Sequence, residues 1–426
     1  GGDKKLVPHL SGLSLDRNQN FPETFVKLLD AYRAEPSWDN KMCLEVGYYL
    51  WCSQVEYLKH HMDMHGADKN RMDVLESMVN MLSSATVRIC GLTSRNLVSY
   101  EGEALYLSAK EYLARMLYKN DELSQTCLAK IERIYRSMWN ACPFSHSITR
   151  RLAIALDDTT MFCPSLMEFR NQKAIQLFDL LYKDKECAIE DLFMALERGM
   201  VVSRMQHKYD EVIQKSDDII GKYLQGVDDD PKLVRFYAIA LDYKAEAYAL
   251  KHDIDRALET IKSAYSYFAR DYENEPDDAQ RLHSLVINLE KQVRYGFYSG
   301  MIPQIEILLY LKFCHVAIDK NPGDAFAYKQ LAVGEVMALY VSALRDDCDY
   351  IERHSRQTFD LVKEVIFSCR DWRIANAEIM RATISMLSDN GRADLANSMN
   401  LMYQSLATEV LGKRLAPSAY FYPQGI

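Results

Sequence analysis

The sequence has little glycine and proline and no long apolar run. Only 17 glycines and 11 prolines are spread over 426 residues, whereas β-rich domains need many turns and use both residues often. No apolar stretch approaches the roughly 18 residues of a membrane-spanning helix, and residues 1–15 lack the apolar core of a secretory signal. These absences predict long helices joined by short loops, in a cytoplasmic protein that does not bind membranes.

Paired cysteines and common catalytic motifs are also missing. None of the ten cysteines forms a C-x-x-C pair, and most lie within apolar helical patterns, where buried free thiols are common. The sequence contains no GxSxG, Walker, HExxH or GxGxxG pattern. We therefore predict no cofactor, no metal ion and no catalytic residue. An enzyme or small-ligand binder built on a helical array stays open as an alternative.

The net charge of −9 is negative, from 60 acidic and 51 basic residues. An acidic surface repels a phosphate backbone, so we predict that nucleic acid is not a partner. Hydrophobic residues make up 48% of the chain, which is enough for large cores, and the length exceeds that of one ordinary domain. Composition therefore predicts two globular parts.

Apolar residues recur at spacings of three and four along nearly the whole chain. In the first such segment Phe25, Leu28, Leu29 and Tyr32 share one face of a helix. The same spacing predicts, among others, helices at Leu97–Lys119, Asp121–Asn140 and Pro231–Leu250. Short loops make consecutive helices antiparallel, and each pair must stack on the next to bury its apolar face. We predict an all-α fold of stacked antiparallel helix pairs, with a concave groove for a peptide or a partner helix.

The helical pattern suggests four segments along the chain. They are an irregular segment 1–20, a first helical domain 21–205, a second helical domain 206–413 and a C-terminal tail 414–426.

The second domain contains stretches that resemble tetratricopeptide (TPR) repeats. In residues 240–264, the small residues Ala245, Ala257 and Ala264 would let two helices approach closely. The spacing is irregular and the repeat's glycine is mostly absent, so any repeats are degenerate. The resemblance implies a TPR-type scaffold in a larger complex, which is the alternative interpretation of this chain.

The first domain contains motifs that resemble those of 14-3-3 proteins. Their order and spacing follow the family's opening helices and its RLGLALN helix. The matching segments are Phe25-Val-Lys-Leu-Leu29, Ala34-Glu35, Ser37, Leu44-Glu-Val-Gly-Tyr48 and Arg151-Leu-Ala-Ile-Ala-Leu-Asp157. Fainter similarities follow at 236–250 and 285–289. The resemblance implies a 14-3-3-like helical array in two halves, acting as a protein-binding adaptor in signalling.

The resemblance also implies candidate residues for a peptide groove. The family binds phosphoserine with a lysine, arginines and a clamping asparagine, because forked guanidinium donors match a phosphate. The residues at or beside the matching positions in the first domain are Tyr49, Glu56, His60, Arg115, Leu156 and Asp157. Carboxylates at Glu56 and Asp157 would repel a phosphate. We therefore predict a protein or peptide ligand that is bound largely without phosphate.

Three further groove candidates lie later in the chain. Asn288 matches the clamping asparagine in the second domain, while Arg198 and Arg204 are candidate anion-binding residues. Phosphate recognition at these positions stays open. Pro8 and Gly12 fall where the family's dimer-forming helix should be and would interrupt it. We therefore doubt family-type dimerisation and expect the two halves to act as a pseudo-dimer.

Overall fold

A computed structural model describes residues 20–66, 68–92, 94–369 and 377–409 of the chain. Seventeen α-helices account for most of these residues, and none of the described residues lies in a strand. The prediction of an all-α fold of stacked helices is confirmed. The predictions for residues 1–19, which include Pro8 and Gly12, and for the tail 414–426 lie outside the described residues.

The chain divides into two compact units between Gly199 and Met200, inside the helix Ile189–Met205. We call the residues up to Gly199 unit 1 and those from Met200 unit 2. The predicted domain boundary lies slightly later, after Met205, and the segment assignment stays a prediction.

Unit 1 contains seven helices and the start of an eighth among its described residues. They are α1 (Phe21–Ala34), α2 (Trp38–His65), α3 (Lys69–Cys90), α4 (Leu97–Met116), α5 (Asp121–Ala141), α6 (His146–Thr159), α7 (Met167–Lys183) and α8 (Ile189–Met205). Two short 3-10 turns, Thr160–Phe162 and Pro164–Leu166, join α6 to α7.

Side-chain caps fix where most helices of unit 1 begin. The side chain before each of α1 to α6 accepts a hydrogen bond from a backbone N–H of the first turn, and such a cap stabilises a helix by about 1 kcal/mol. The capping residues are Asn20, Ser37, Asp68, Asn96, Asn120 and Ser145. Helix α2 packs against α4 as well as against its chain neighbours. Residues of α2 and α4, together with residues of α5 and α6, line a polar cavity of unit 1.

Unit 2 continues from α8 with nine further helices. They are α9 (Tyr209–Tyr223), α10 (Pro231–Leu250), α11 (Ile254–Asn274), α12 (Ala279–Tyr298), α13 (Gln304–Lys320), α14 (Ala325–Leu344), α15 (Cys348–Cys369), α16 (Ala377–Asp389) and α17 (Ala393–Glu409). Consecutive helices from α9 to α15 pack side by side. Residues of these helices, among them Phe268, Leu285, Tyr310 and Leu339, form one extended core.

Helix pairs in unit 2 repeat one tight turn. A residue with positive φ follows each of α8, α10, α12, α14 and α16, namely His207, His252, Gly300, Asp346 and Gly391. At each turn the N–H of this residue bonds to the carbonyl three positions earlier, and the next N–H bonds five positions back. This is the Schellman ending of a helix. Successive left-handed residues are 45, 48, 46 and 45 positions apart, so unit 2 is a series of helical hairpins.

The starts of the hairpins repeat as well. Asp230, Asp278 and Asp324 cap α10, α12 and α14, and each of these helices contains 20 residues. An aspartate at this position also interacts favourably with the helix dipole. Within the described ranges, no helix has the combined length and apolarity needed to cross a membrane.

Candidate functional site

The site that contains a predicted groove residue is a polar cavity in unit 1. It has a volume of about 180 Å³ and opens between α2, α4, α5 and α6. Its polar and charged lining residues are Glu56, Lys59, Ser108, Glu111, Tyr135, Arg151 and Asp158. Apolar residues such as Leu105, Ile131 and Ile154 complete the wall. A cavity of this size is smaller than a typical small-molecule pocket and suits one inserted side chain.

Helical spacing explains why these residues converge. Glu56 and Lys59 are three positions apart on α2, as are Ser108 and Glu111 on α4, and Arg151 and Asp158 are seven positions apart on α6. Residues at these separations share one helical face. Each helix therefore turns one polar face towards the same space.

Glu56 is a carboxylate of the cavity with only one of its two oxygens paired. Its Oε1 lies 3.3 Å from the Lys59 ammonium, but its buried Oε2 has no hydrogen-bond partner among the described residues. Burial raises the pKa of Glu56 above its ordinary value, although the Lys59 charge opposes this effect. A buried acceptor without a partner is costly, at about 1–3 kcal/mol. Glu56 can therefore accept a further hydrogen bond from a ligand.

Asp158 is a second carboxylate of the cavity that could accept a hydrogen bond from a ligand. It has no ion pair or hydrogen bond within the described part of the chain, and it reaches solvent through the open side of the cavity. Partial burial, together with the neighbouring Asp157 carboxylate, raises the pKa of Asp158 to about 6. Arg151 does not neutralise it, because its guanidinium lies 3.7 Å from Glu101.

Two predicted groove residues form an ion pair beside the cavity. Asp157 is 4% exposed, and its carboxylate lies 3.2 Å from the Arg198 guanidinium. The two residues are 41 positions apart in sequence. The Arg198 guanidinium is therefore already paired with a carboxylate of unit 1. Leu156, next to Asp157, is 1% exposed and belongs to the core.

The remaining candidates of unit 1 lie outside the cavity. Arg115 is exposed and pairs with Glu111 of the same helix at 3.2 Å. His60 is exposed, Tyr49 is half-buried, and neither lines the cavity. The structure therefore brings Glu56 to the cavity, leaves Asp157 and Arg198 at its edge and separates the other positions. Whether any of them contacts a ligand stays a prediction.

The candidates of unit 2 have partners of their own. Arg204 lies 3.0 Å from Glu246, which is 3.4 Å from Lys291, and Lys291 is 2.5 Å from Asp242. Burial disfavours the charged forms of both Lys291 and Glu246. Even so, the carboxylates raise the pKa of Lys291, and Lys291 and Arg204 lower the pKa of Glu246. This chain of charges connects α8, α10 and α12.

Asn288 lies in the core of unit 2 and is 0% exposed. Its amide donates a hydrogen bond to the Ile261 carbonyl at 3.2 Å and accepts one from Gln292 at 2.8 Å. A buried amide must satisfy its donors and acceptors inside the protein. The contacts of Asn288 favour a role in joining α12 to α11.

Sequence reasoning missed most of the cavity residues. Lys59, Ser108, Glu111 and Asp158 line the cavity, but none of them was a candidate. The available signal was the polar face of each helix, at spacings of three and seven. That signal is weak because solvated helix faces have the same spacing.

Comparisons with known proteins give no family for the chain. No protein-family model matches it, and no curated protein matches it. Among solved structures it is similar to the human IFIT1 dimer with m7Gppp-AAAA, with 12% identity, a TM-score of 0.31, and coverage of 92% of this chain and 95% of that chain. It is also similar to yeast Tom70, with 12% identity, a TM-score of 0.21, and coverage of 96% and 91%.

A third similar structure is Naa15/Naa10 bound to HypK-THB, with 13% identity, a TM-score of 0.22, and coverage of 94% of this chain and 68% of that chain. TM-scores this low carry no weight for function, so the all-α class rests on the helices of the chain itself. The 14-3-3 resemblance finds no support in these comparisons. The exclusion of nucleic acid and the cytoplasmic location stay predictions.

Proposed function

We propose that the chain is a non-enzymatic scaffold that binds a partner polypeptide, and that the cavity of unit 1 receives one unphosphorylated side chain of that partner. The observation that supports this most is the presence, in one open cavity, of the Glu56 Oε2 atom without a hydrogen-bond partner and of the Asp158 carboxylate without an ion pair, in both cases among the described residues. A side chain that donates hydrogen bonds or carries positive charge satisfies both of them.

The charge of the cavity favours this ligand over a phosphate. Among the lining residues, the three carboxylates of Glu56, Glu111 and Asp158 outnumber the two cations of Lys59 and Arg151. Both cations already lie near carboxylates. A phosphate of about two negative charges would meet net repulsion. We therefore infer that the chain is a helical-hairpin scaffold with an adaptor function that is largely independent of phosphate. This function does not depend on 14-3-3 ancestry.

Peptide titration tests the proposal. We would titrate the full chain with three labelled peptides that differ only in a central arginine, phosphoserine or alanine. We expect the arginine peptide to bind most tightly. The Glu56→Gln/Asp158→Asn variant should weaken its binding about tenfold, as expected for two partly screened charge contacts.

A variant with the same net charge serves as control. Asp73→Asn/Glu122→Gln also removes two carboxylates of unit 1, but neither residue lines the cavity. Its affinity for the arginine peptide should stay within about twofold of the original. Tighter binding of the phosphoserine peptide, or equal losses in both variants, would refute the proposal.

A further inference from the structure

Unit 2 contains a larger cavity that none of the predicted groove residues reaches. It has a volume of about 470 Å³, within the range of ligand-binding pockets. Helices α13, α14 and α15 form its walls. The lining residues are His315, Leu331, Glu335, His354, Gln357, Thr358, Asp360, Leu361 and Glu364.

The cavity contains carboxylates without cations. Glu335, Asp360 and Glu364 line it, whereas no lysine or arginine does. None of these three carboxylates has a hydrogen bond or ion pair with any part of the chain that the structure describes. Elsewhere in unit 2 the half-buried carboxylates of Asp242 and Glu246 do have cationic partners, at 2.5 and 3.0 Å. The three carboxylates of the cavity therefore face two histidines but no lysine or arginine.

Glu335 is the innermost of the three. It is half-buried on α14, next to Gly334, where the Tyr310 ring packs against the helix backbone. Burial raises the pKa of Glu335, and the charges of His315 and His354 oppose this. A carboxylate at such a depth gains more from a cationic partner than an exposed one does, since water screens it less.

A neighbouring face of α15 provides a contrast. A second cavity of about 280 Å³, between α15 and α17, is lined by Arg356 and Lys363 beside the shared Asp360. Cations are thus present on α15 but line the other cavity. Helix α15 therefore carries basic residues, but none of them lines the larger cavity.

We propose that the larger cavity of unit 2 binds the guanidinium or ammonium group of an arginine or lysine side chain from a partner peptide. The carboxylates complement the charge, and a guanidinium can bond two carboxylate oxygens at once. Leu331 and Leu361 provide apolar surface for the methylene stem. A metal ion is a poorer fit, because no three His, Cys, Asp or Glu residues of the described chain are placed to hold one.

Titration of the full chain, in the Glu56→Gln/Asp158→Asn background, tests this site separately from the cavity of unit 1. The probes are the arginine peptide used above and free spermidine. Histidine-selective NMR reports where each probe binds. We expect the arginine peptide to shift the His315 and His354 signals, and Glu335→Gln to weaken binding about fivefold.

Glu352→Gln is the matched control, because Glu352 is exposed on α15 and does not line the cavity. It should change the affinity less than twofold. If Glu335→Gln alters the helical content, Asp360→Asn/Glu364→Gln replaces it, since both residues are exposed. Unchanged His315 and His354 signals, or equal affinity in the cavity and control variants, would overturn the proposal. Spermidine binding as tight as the peptide would overturn the assignment to a peptide side chain.

A failure at this site alone leaves the cavity of unit 1 as proposed, because the two experiments use different variants. Conversely, loss of peptide binding at unit 1 does not affect the His315 and His354 readout. The two proposals can therefore fail independently.

Discussion

In unit 2, residues with positive φ recur every 45 to 48 positions, whereas in the described part of unit 1 Gly66, Lys119 and Lys185 are 53 and 66 positions apart. Helix lengths follow the same contrast. Those of α2 and α6 in unit 1 are 28 and 14 residues, while α10, α12 and α14 have 20 each. A repeated local turn is thus enough to define the hairpins of unit 2, while unit 1 depends on individual contacts between helices.

The charges around Lys291 in unit 2 and around Asp157 in unit 1 form a second contrast. In unit 2 Lys291 is shared by Asp242 and Glu246, and Arg204 extends the chain of charges. In unit 1 one arginine pairs with Asp157 at the edge of an open cavity. The charges around Lys291 connect α8, α10 and α12, whereas the Asp157–Arg198 ion pair connects α6 to α8.

The largest expected effect comes from removing Lys291. Lys291→Met leaves the half-buried carboxylates of Asp242 and Glu246 without the cation that they share, which should lower the free energy of unfolding by about 3–5 kcal/mol. Arg198→Met removes a cation that is itself 37% exposed and that pairs with one carboxylate, that of Asp157, so we expect a smaller loss of about 1–3 kcal/mol. Urea unfolding measures both values, and hydrogen exchange assigns each loss to its unit. Equal losses would contradict the inferred difference between a largely buried cation shared by two carboxylates and a more exposed cation paired with one.

Glycines at helix crossings should have the next largest effect. A Cβ at Gly334 would lie 2.8 Å from the Tyr310 ring and the Leu311 side chain, and one at Gly102 would lie 2.9 Å from the Tyr48 ring. Substitution to alanine at either position should therefore destabilise its unit by about 1–3 kcal/mol, as overpacking does.

Gly221 provides the control for both substitutions. It lies in α9 with nothing within 4 Å of a Cβ, so Gly221→Ala should stabilise the protein by up to about 1 kcal/mol through helix propensity. Thermal unfolding would compare the three variants. A stabilising Gly102→Ala or Gly334→Ala would show that the crossing helices separate more easily than their contacts indicate.

The smallest effects concern the repeated turn. Gly300 has φ +74 with open space around it, so Gly300→Ala should lower the free energy of unfolding by about 1 kcal/mol through backbone strain alone. At Asp346, which has φ 57, substitution with glycine should raise it by a few tenths of a kcal/mol, because relief of strain exceeds the added freedom of the unfolded chain. Urea unfolding measures both. A stabilising Gly300→Ala or a destabilising Asp346→Gly would show that the turns are not equivalent.

Helix positions were largely predictable from the sequence. Apolar spacing placed a helix at Pro231–Leu250, as observed, and α4 and α5 begin at the predicted residues. Helix ends were harder. The helix predicted at Leu97–Lys119 ends at Met116, since Lys119 takes the left-handed conformation. A lysine or histidine at such a turn gives no sequence signal, whereas a glycine would.

The sequence by itself determined the all-α class, because a spacing of three and four is visible without knowing any neighbour. Only the tertiary structure decided which polar groups meet. It placed Arg198 against Asp157 and Arg204 against Glu246, buried Asn288, and left Glu56, Asp158 and Glu335 in cavities. The physical reason is that charge pairing depends on distance in space, and these partners lie about 40 positions apart along the chain.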